Sequence, residues 1–415
     1  MAALDISTFD AALKQLYDDR RVRSVVFKNN PLHAMLMKFT DFVGRNMPLV
    51  LTFGNPQGRS SVFATAQANK TAGNYRDFLL TRVKDYGLTS IELETIQATS
   101  TDRGAFLKAA TAEIDGMLNQ VARSISTAEY GNGGGAIGAQ VSGGIGDLVI
   151  TLAKPTDATN FEKGMYITSS ATDGTTGSIR SGRIQIASLD RSAGTITADQ
   201  DWDSGITGFS NDDFLFVEGD FGVKLTGLDG WLPATAPTSG DNHFGVDRSD
   251  DPDRLAGIRH DGSSQTIEEA LIDGASKINA LGGGMPDFVF INPRNVRELV
   301  KLLDSRIDYN SIKPQGLPEA AEFGFRSIML QADHGMVQVV SDRNAPVDVA
   351  FMLQLDTWVL ASLGEAPKIL EGLNQRFIWD ANADSVEIRT GYYAQLGCVA
   401  PGYNGRITLP PAAGT

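Results

Sequence analysis

Cysteine is almost missing from this 415-residue sequence. Cys398 stands alone, so no disulfide can form within the chain and a disulfide-stapled secreted domain is excluded. Basic runs are missing too. The formal charge is −14 and nothing denser than Arg20-Arg21 with Arg23 occurs, which excludes a fold that grips nucleic acid by neutralising phosphates. An acidic chain can still lie near DNA without binding it. No run of about 18 apolar residues occurs, so no transmembrane helix is expected. The N-terminus carries Asp5, Asp10, Asp18 and Asp19 in place of an apolar signal core, and synthesis and residence in the cytoplasm are expected. His33, His243, His260 and His334 lie far apart, and that spacing does not suit zinc.

What is present is ordinary globular material. Apolar residues make up 42% and charged residues 21%, which excludes global disorder and leaves room for two or three domains. The 44 glycines cluster between 131 and 184 and again at 282–284, where they mark turns rather than a fibrous repeat.

Along the chain, Leu4, Phe9, Leu13 and Leu16 share one face of a short helix over 4–20. The apolar residues of 22–47 are spaced irregularly, which suggests an arm lying on something else. Strands are expected at Pro48–Phe53, Tyr75–Tyr86 and Ile91–Ile96. The turn-rich Gly54-Asn55-Pro56-Gln57-Gly58 and a helical stretch, Ser61–Lys70, lie between the first two, so the whole reads as a long hairpin with an elaborated tip, too thin in apolar content to fold alone. The next segment is the strongest helix. Phe106, Ala110, Ile114, Met117, Leu118, Val121, Ile125 and Ala128 keep a 3/4 spacing from a cap at Ser100 or Thr101 to the stop at Gly131-Asn132-Gly133.

From about 141 to 221 the texture changes to short strands and glycine turns: Asp147–Leu152, Met165–Ser169, Arg183–Leu189, Thr195–Ala198 and Phe214–Glu218. That pattern predicts a small barrel or sandwich inserted between helical neighbours, with Gly131–Gly146 as a flexible tether. Residues 224–264 read as loop-rich. A capping box, Thr266 with Glu269, opens a helix that ends at Gly282-Gly283-Gly284. Phe288–Ile291 is a buried strand running into Asn292-Pro293, an N-cap with proline at the first helical position. Strands at Ser327–Leu330, Val337–Val340 and Val349–Leu353 complete an α/β region. Phe377–Asp380, a turn at Ala381–Asp384, Ser385–Gly397 and Tyr403–Leu409 follow.

Chemical motifs are thin. Gly133-x-Gly135-x-x-Gly138 has the letters of a dinucleotide fingerprint but follows a helix and precedes a glycine-rich strand region, the reverse of what aiming amides at a pyrophosphate requires. Asp247, Asp250, Asp251 and Asp253 offer oxygen ligands without the glycine and terminal glutamate of a calcium loop, and Arg248 and Arg254 interleave them. His260-Asp261 reads as a loop pair. Trp231, Trp358 and Trp379 read as core or interface anchors, and Cys398 as a buried small residue. No Walker loop or nucleophile elbow occurs. No catalytic, cofactor-binding or metal-binding residue is assigned, and the chain is expected not to be an enzyme.

The order of these parts resembles the Hong Kong 97-type fold of tailed-bacteriophage major capsid proteins. Pro286-Asp287-Phe288-Val289-Phe290-Ile291-Asn292-Pro293-Arg294-Asn295 is similar to that family's strand-then-helix start in the axial domain. Arg389-Thr390-Gly391-Tyr392-Tyr393-Ala394-Gln395 through Pro401 to Ile407 is similar to its last peripheral strand. Gly54-Asn55-Pro56-Gln57-Gly58-Arg59-Ser60 and Phe78-Leu79-Leu80-Thr81-Arg82-Val83 resemble its extended loop. The resemblance implies an α+β fold with an inserted all-β domain. Its parts would be an N-terminal arm (1–46), an extended loop (47–88), a peripheral domain with spine helix (89–140), the insertion (141–221) and the peripheral domain continued (222–284). An axial domain (285–370) and peripheral return strands (371–415) would follow.

The function implied is a coat protein that self-assembles into pentamers and hexamers of an icosahedral head enclosing DNA, in the virion, without cofactor or membrane. The partners implied are other copies of the chain, a separate scaffolding protein, a portal and a decoration protein. A nanocompartment shell of the encapsulin kind and a glycan-binding phage surface protein are the alternatives. Some members of the family cross-link an extended-loop lysine to a neighbour's asparagine. Lys70 is the only lysine between Lys38 and Lys84, and its polar setting of Gln67, Asn69, Thr71 and Asn74 favours a hydrated, unreactive amine.

Overall fold

In the computed structural model the described residues are 30–92, 103–141, 144–303, 309–312, 325–333, 335–371, 377–379 and 384–412. The helix expected at 4–20 and all but the last residue of the turn at 381–384 lie outside them. So does all of the expected strand 91–96 beyond Glu92.

The backbone of the molecule is a 14-residue strand, Ser385–Cys398. One edge pairs antiparallel with Val83–Glu92; the other pairs successively with Trp358–Ser362, Lys368–Ile369 and Phe377–Trp379. With both edges used and a helix over one face, nearly every residue of the strand is inside. The covering helix is Arg103–Ala128, 26 residues or about 39 Å at 1.5 Å per residue. It buries Ile114, Leu118, Val121, Ala122 and Ile125. A side chain at Gly87 would strike Met117 and Val121, so this glycine sets how closely helix and sheet approach.

A second, mixed sheet has seven strands in the order 258–261, 405–408, 349–353, 288–291, 335–341, 325–332 and 309–312. Both capping signals form. Thr266 Oγ1 accepts from Glu269 N at 3.3 Å while Glu269 Oε2 accepts from Thr266 N at 3.1 Å, opening the helix Ile267–Lys277. Asn292 Oδ1 accepts from Arg294 N at 3.1 Å ahead of the helix Pro293–Leu303. Ile267, Leu271 and Leu299 share this sheet's core with Val289, Ile291 and Ile407. Sheet pairing crosses the division expected from sequence. Gly405–Thr408 lies between Val349–Leu353 and Ile258–Asp261, so it joins the second sheet rather than the peripheral return. Trp358–Ser362 instead joins the first. The reason is that each strand's edges are satisfied only there, a long-range fact that local pattern does not carry. Ile258–Asp261 itself lies within the stretch read as loop, since Ile-Arg-His-Asp has neither alternation nor a run of apolar residues.

The third sheet runs 138–139, 214–217, 166–170, 184–190, 195–198 and 149–151. Its two ends meet. Gln140 bridges Leu152, Val141 N donates to Thr151 O at 2.9 Å and Ala153 N to Ala139 O at 2.8 Å, so the sheet closes into a barrel. Its core, including Ile150, Phe161, Ile184, Trp202 and Leu215, is separate from the other two. The tether expected at Gly131–Gly146 is instead a packed joint at its start. Gly222 N donates to Gly134 O at 2.8 Å, Asn132 bridges Thr226, and a side chain at Gly134 or Gly135 would run into the carbonyls of Asp173 or Asp220.

The hairpin pairs Asn46–Gly54 with Asn74–Thr81. The single strand expected at 75–86 is divided at Arg82, whose guanidinium donates to Phe42 O at 2.8 Å and Gly44 O at 2.6 Å. Beyond it Val83–Glu92 leaves for the first sheet. Alternate residues Leu49, Leu51, Phe53, Phe78 and Leu80 are buried on the body together with the arm's Leu32, Leu36 and Phe42. Thin apolar content therefore does not leave the hairpin waiting for a neighbour; one face is already covered within the chain.

Candidate assembly surface

The residues weighed for chemistry are occupied structurally. Gly133 and Gly135, both at positive φ, belong to the barrel joint. Asp247 accepts from the backbone of Ser249 and Gly240, both at 3.0 Å, and from the Ser249 hydroxyl, which together lower its pKa. Asp250 pairs with Arg76 at 2.6 Å, Asp251 caps Arg254 N at 3.1 Å and Asp253 pairs with Arg259 at 3.1 Å. Four carboxylates are thus spread over four separate tasks.

His243 lies edge-on to Trp231, ring centres 4.6 Å apart, and burial drives its pKa well below the ordinary value. His260 Nε2 is 2.9 Å from Gln265 Oε1. Trp231 donates to Leu396 O at 3.1 Å and Trp358 to Asn404 Oδ1 at 2.8 Å, both inside the core. The side chain of Trp379 and all of His334 fall outside the described residues. Burial pushes the Cys398 thiol up to about 12, which removes the thiolate a nucleophile needs.

Exposed apolar residues gather where the hairpin and arm leave the body. At the hairpin tip the short helix Phe63–Ala68 buries none of its residues; Phe63 is 81% exposed, and Val62 before it is also exposed. The outward face of the hairpin presents Val50, Tyr75 and Leu79, and the arm presents Met37, Phe39 and Val43, the last 78% exposed. Large apolar side chains left exposed on these excursions mark candidate interaction surfaces. Lys70 lies just past the tip helix and is exposed.

Polar joints fasten the barrel to the body. Lys224, on the chain leaving the barrel, is 2.7 Å from Asp85 and 3.0 Å from Asp220, and Ser124 of the long helix donates to Asp85 at 2.5 Å. Burial holds Asp220 up at about 6 despite the lysine. Glu162 of the barrel accepts from Gln120 at 2.6 Å and pairs with Arg123. Between barrel and second sheet lies a cleft of about 600 Å³, onto which Lys154, Asp157 and Arg343 open. Asp157 is likewise held up to about 6, by burial. Sequence reasoning missed these joints, because Asp85 and Lys224 are 139 positions apart and no short-range spacing links them.

No protein of curated function matches the sequence. Residues 208–374 match the family described as SU10 major capsid protein. Among solved structures, the chain is similar to the capsid asymmetric unit of cyanophage A-1(L), with a TM-score of 0.50, 12% identity and coverage of 92% of this chain and 93% of that one. Mycobacterium phage Adephagia gives a TM-score of 0.40 at 13% identity, covering 93% and 91%. The encapsulin of Synechococcus elongatus gives 0.42 at 8%, covering 100% and 98%. The long helix, two body sheets, arm and hairpin are those of the Hong Kong 97-type capsid fold. Residues 208–374 thus match a major capsid protein family, and the whole chain shares its fold with a phage capsid subunit.

Proposed function

We propose that the chain assembles into pentamers and hexamers that close an icosahedral head around DNA, in the virion, after assembly in the host cytoplasm. The exposed tip helix carries this reading: a chain that buries tryptophans and phenylalanines throughout its cores leaves Phe63 in solvent. Heterologous contacts made through such a tip and through the arm close into rings, and rings tile a shell. The acidic balance of −14 suits a wall that contains DNA without gripping it. The part played is structural rather than enzymatic. A separate scaffolding protein, a portal and a decoration protein complete the assembly.

The units proposed are the arm (1–46), the extended loop (47–88), the inserted barrel (141–221), a peripheral unit on the first sheet with the long helix, and an axial unit on the second sheet. Sedimentation of the purified protein, followed by electron microscopy, tests the reading. Capsomer-sized and shell-sized species are expected with scaffold present, and a compact monomer under every condition would overturn it.

A further inference from the structure

The arm meets the body at a buried cluster of ionisable groups that no assembly surface uses. His33 lies in the single helical turn Pro31–Met35. Its Nδ1 is 2.5 Å from Glu129 Oε1, and both side chains are fully buried. Glu129 directly follows the long helix, and its neighbour Tyr130 donates to Asp342 Oδ2 at 2.9 Å. Asp342 directly follows the strand Gly335–Ser341, is itself buried, and accepts from Asn344 N at 2.9 Å and from the arm amide of Leu32 at 3.4 Å. Asn344 also donates to Asn30 Oδ1 at 3.1 Å, and Lys38 Nζ to the His33 carbonyl at 2.6 Å. The charged and titratable groups around the cluster are Lys38 of the arm, Tyr130 of the helix end, the buried Tyr392 of the central strand, which feels Glu129, and the exposed Arg343 beside Asp342.

Three segments converge on two buried carboxyls and one imidazole. An ionised Asp342 places a negative charge beside the buried His33–Glu129 contact, in a setting that penalises it. Protonation of Asp342 removes that charge. Burial, with a contribution from Glu129, already holds Asp342 up at about 6.

We propose that this cluster is a proton-operated latch on the arm: proton uptake tightens the docking of residues 30–43 on the body, and proton loss loosens it while the central strand Ser385–Cys398 stays paired. Docking buries Asp342, so the docked arm favours its protonated form. Docking therefore strengthens as pH falls from 8 towards 5. This does not depend on what the shell encloses.

Hydrogen exchange on the full chain, corrected for the intrinsic pH dependence of exchange, tests it. The reporters are Leu36 N, bonded to Leu32 O at 3.0 Å, and Phe42 N, bonded to Ser362 O at 3.0 Å. Between pH 5 and pH 8 both are expected to lose about tenfold in protection while amides of Ser385–Cys398 keep theirs. Asp342→Asn should keep the arm protected at both pH values, and His33→Gln, which loses the contact with Glu129 but keeps Asp342, should lower protection at both pH values and retain the pH difference. Equal protection of the wild type at both pH values, or a wild-type pH profile in Asp342→Asn, overturns the proposal. Should either variant not fold, the wild-type profile alone decides.

Discussion

The barrel and the hairpin are both excursions from the same two-sheet body, and they solve the problem of burial in opposite ways. The barrel closes its sheet, so it has no free edges and fills its interior with its own side chains, Trp202 stacked on Phe209 among them. The hairpin has only two strands. Its inner residues Leu49, Phe78 and Leu80 are part of the body's core, with Phe78 set edge-on against Trp231 at 5.0 Å. One excursion is attached to the body by polar joints and the other is fused to it by apolar packing. The lesson is that length of excursion says little about autonomy; what counts is whether the segment completes its own layer.

The sharpest way to break the comparison is to remove one large side chain from each. Trp231→Ala should cost about 3–5 kcal/mol of global stability and shift the main unfolding transition, because hairpin, arm and first sheet all pack on that cluster. Trp202→Ala should be just as damaging to the barrel and leave the main transition in place. A scanning-calorimetry trace in which both variants move one common transition would show that the barrel does not melt separately.

Excision of 138–217 sharpens the same point. Gly138 pairs with Leu215, so the cut ends lie side by side and a short Gly/Ser linker spans them. The remaining chain should keep its circular-dichroism spectrum and its main transition. Loss of all folded signal would make the barrel part of the core.

The barrel joints should respond to pH more mildly. Asp157 and Asp220 both titrate at about 6 in the fold, above the ordinary value of 3.8, so their ionised forms are disfavoured there. The sign follows: the penalty is full above about pH 6 and is relieved as pH falls from 6 towards 3.8, so stability should rise over that window. Urea midpoints at pH 7 and pH 5 check it, and Asp157→Asn should reduce the difference, leaving the part due to Asp220 and Asp342. A midpoint that falls with acidification in this window would contradict the burial ascribed to these carboxyls.

The smallest effect is expected at Lys70. It stands exposed beyond the tip helix, so Lys70→Arg should leave assembly unchanged. Particles boiled in denaturant should run as a single band near 44.4 kDa with or without reductant. A ladder that survives boiling in the wild type and disappears in Lys70→Arg would place a covalent bond at Lys70.

Elements with a local chemical signal were legible in the sequence. The 3/4 spacing of Ile114, Leu118, Val121 and Ile125 lies on one buried face, and Thr266 with Glu269 forms the reciprocal cap. Asp190, whose carboxylate accepts from Ser192 and Ala193 amides at 2.9 and 3.0 Å, makes the expected hairpin turn. Trp358–Ser362 and Ile258–Asp261 were not read as strands, because nothing in four or five residues announces a partner that lies far away in sequence. The candidate assembly surface was half legible. An apolar arm and a hairpin with an elaborated tip could be read from the sequence, but not the exposed Phe63 at that tip nor which residues the body already covers.

By itself the sequence determined the kinds of local structure and their order: a capped helix wherever the apolar spacing is 3.6 and a turn residue precedes it, and short strands wherever glycine and aspartate break the chain. It also determined the acidic balance, which no fold can alter. Tertiary structure alone decided that six short strands would close into a barrel and which body sheet each C-terminal strand would join. It alone brought His33, Glu129 and Asp342, three groups with no common motif, to one buried point. The reason is physical. Strand edges and buried charges are satisfied by whichever partner the whole packing brings within hydrogen-bond distance, and chain separation does not enter that choice.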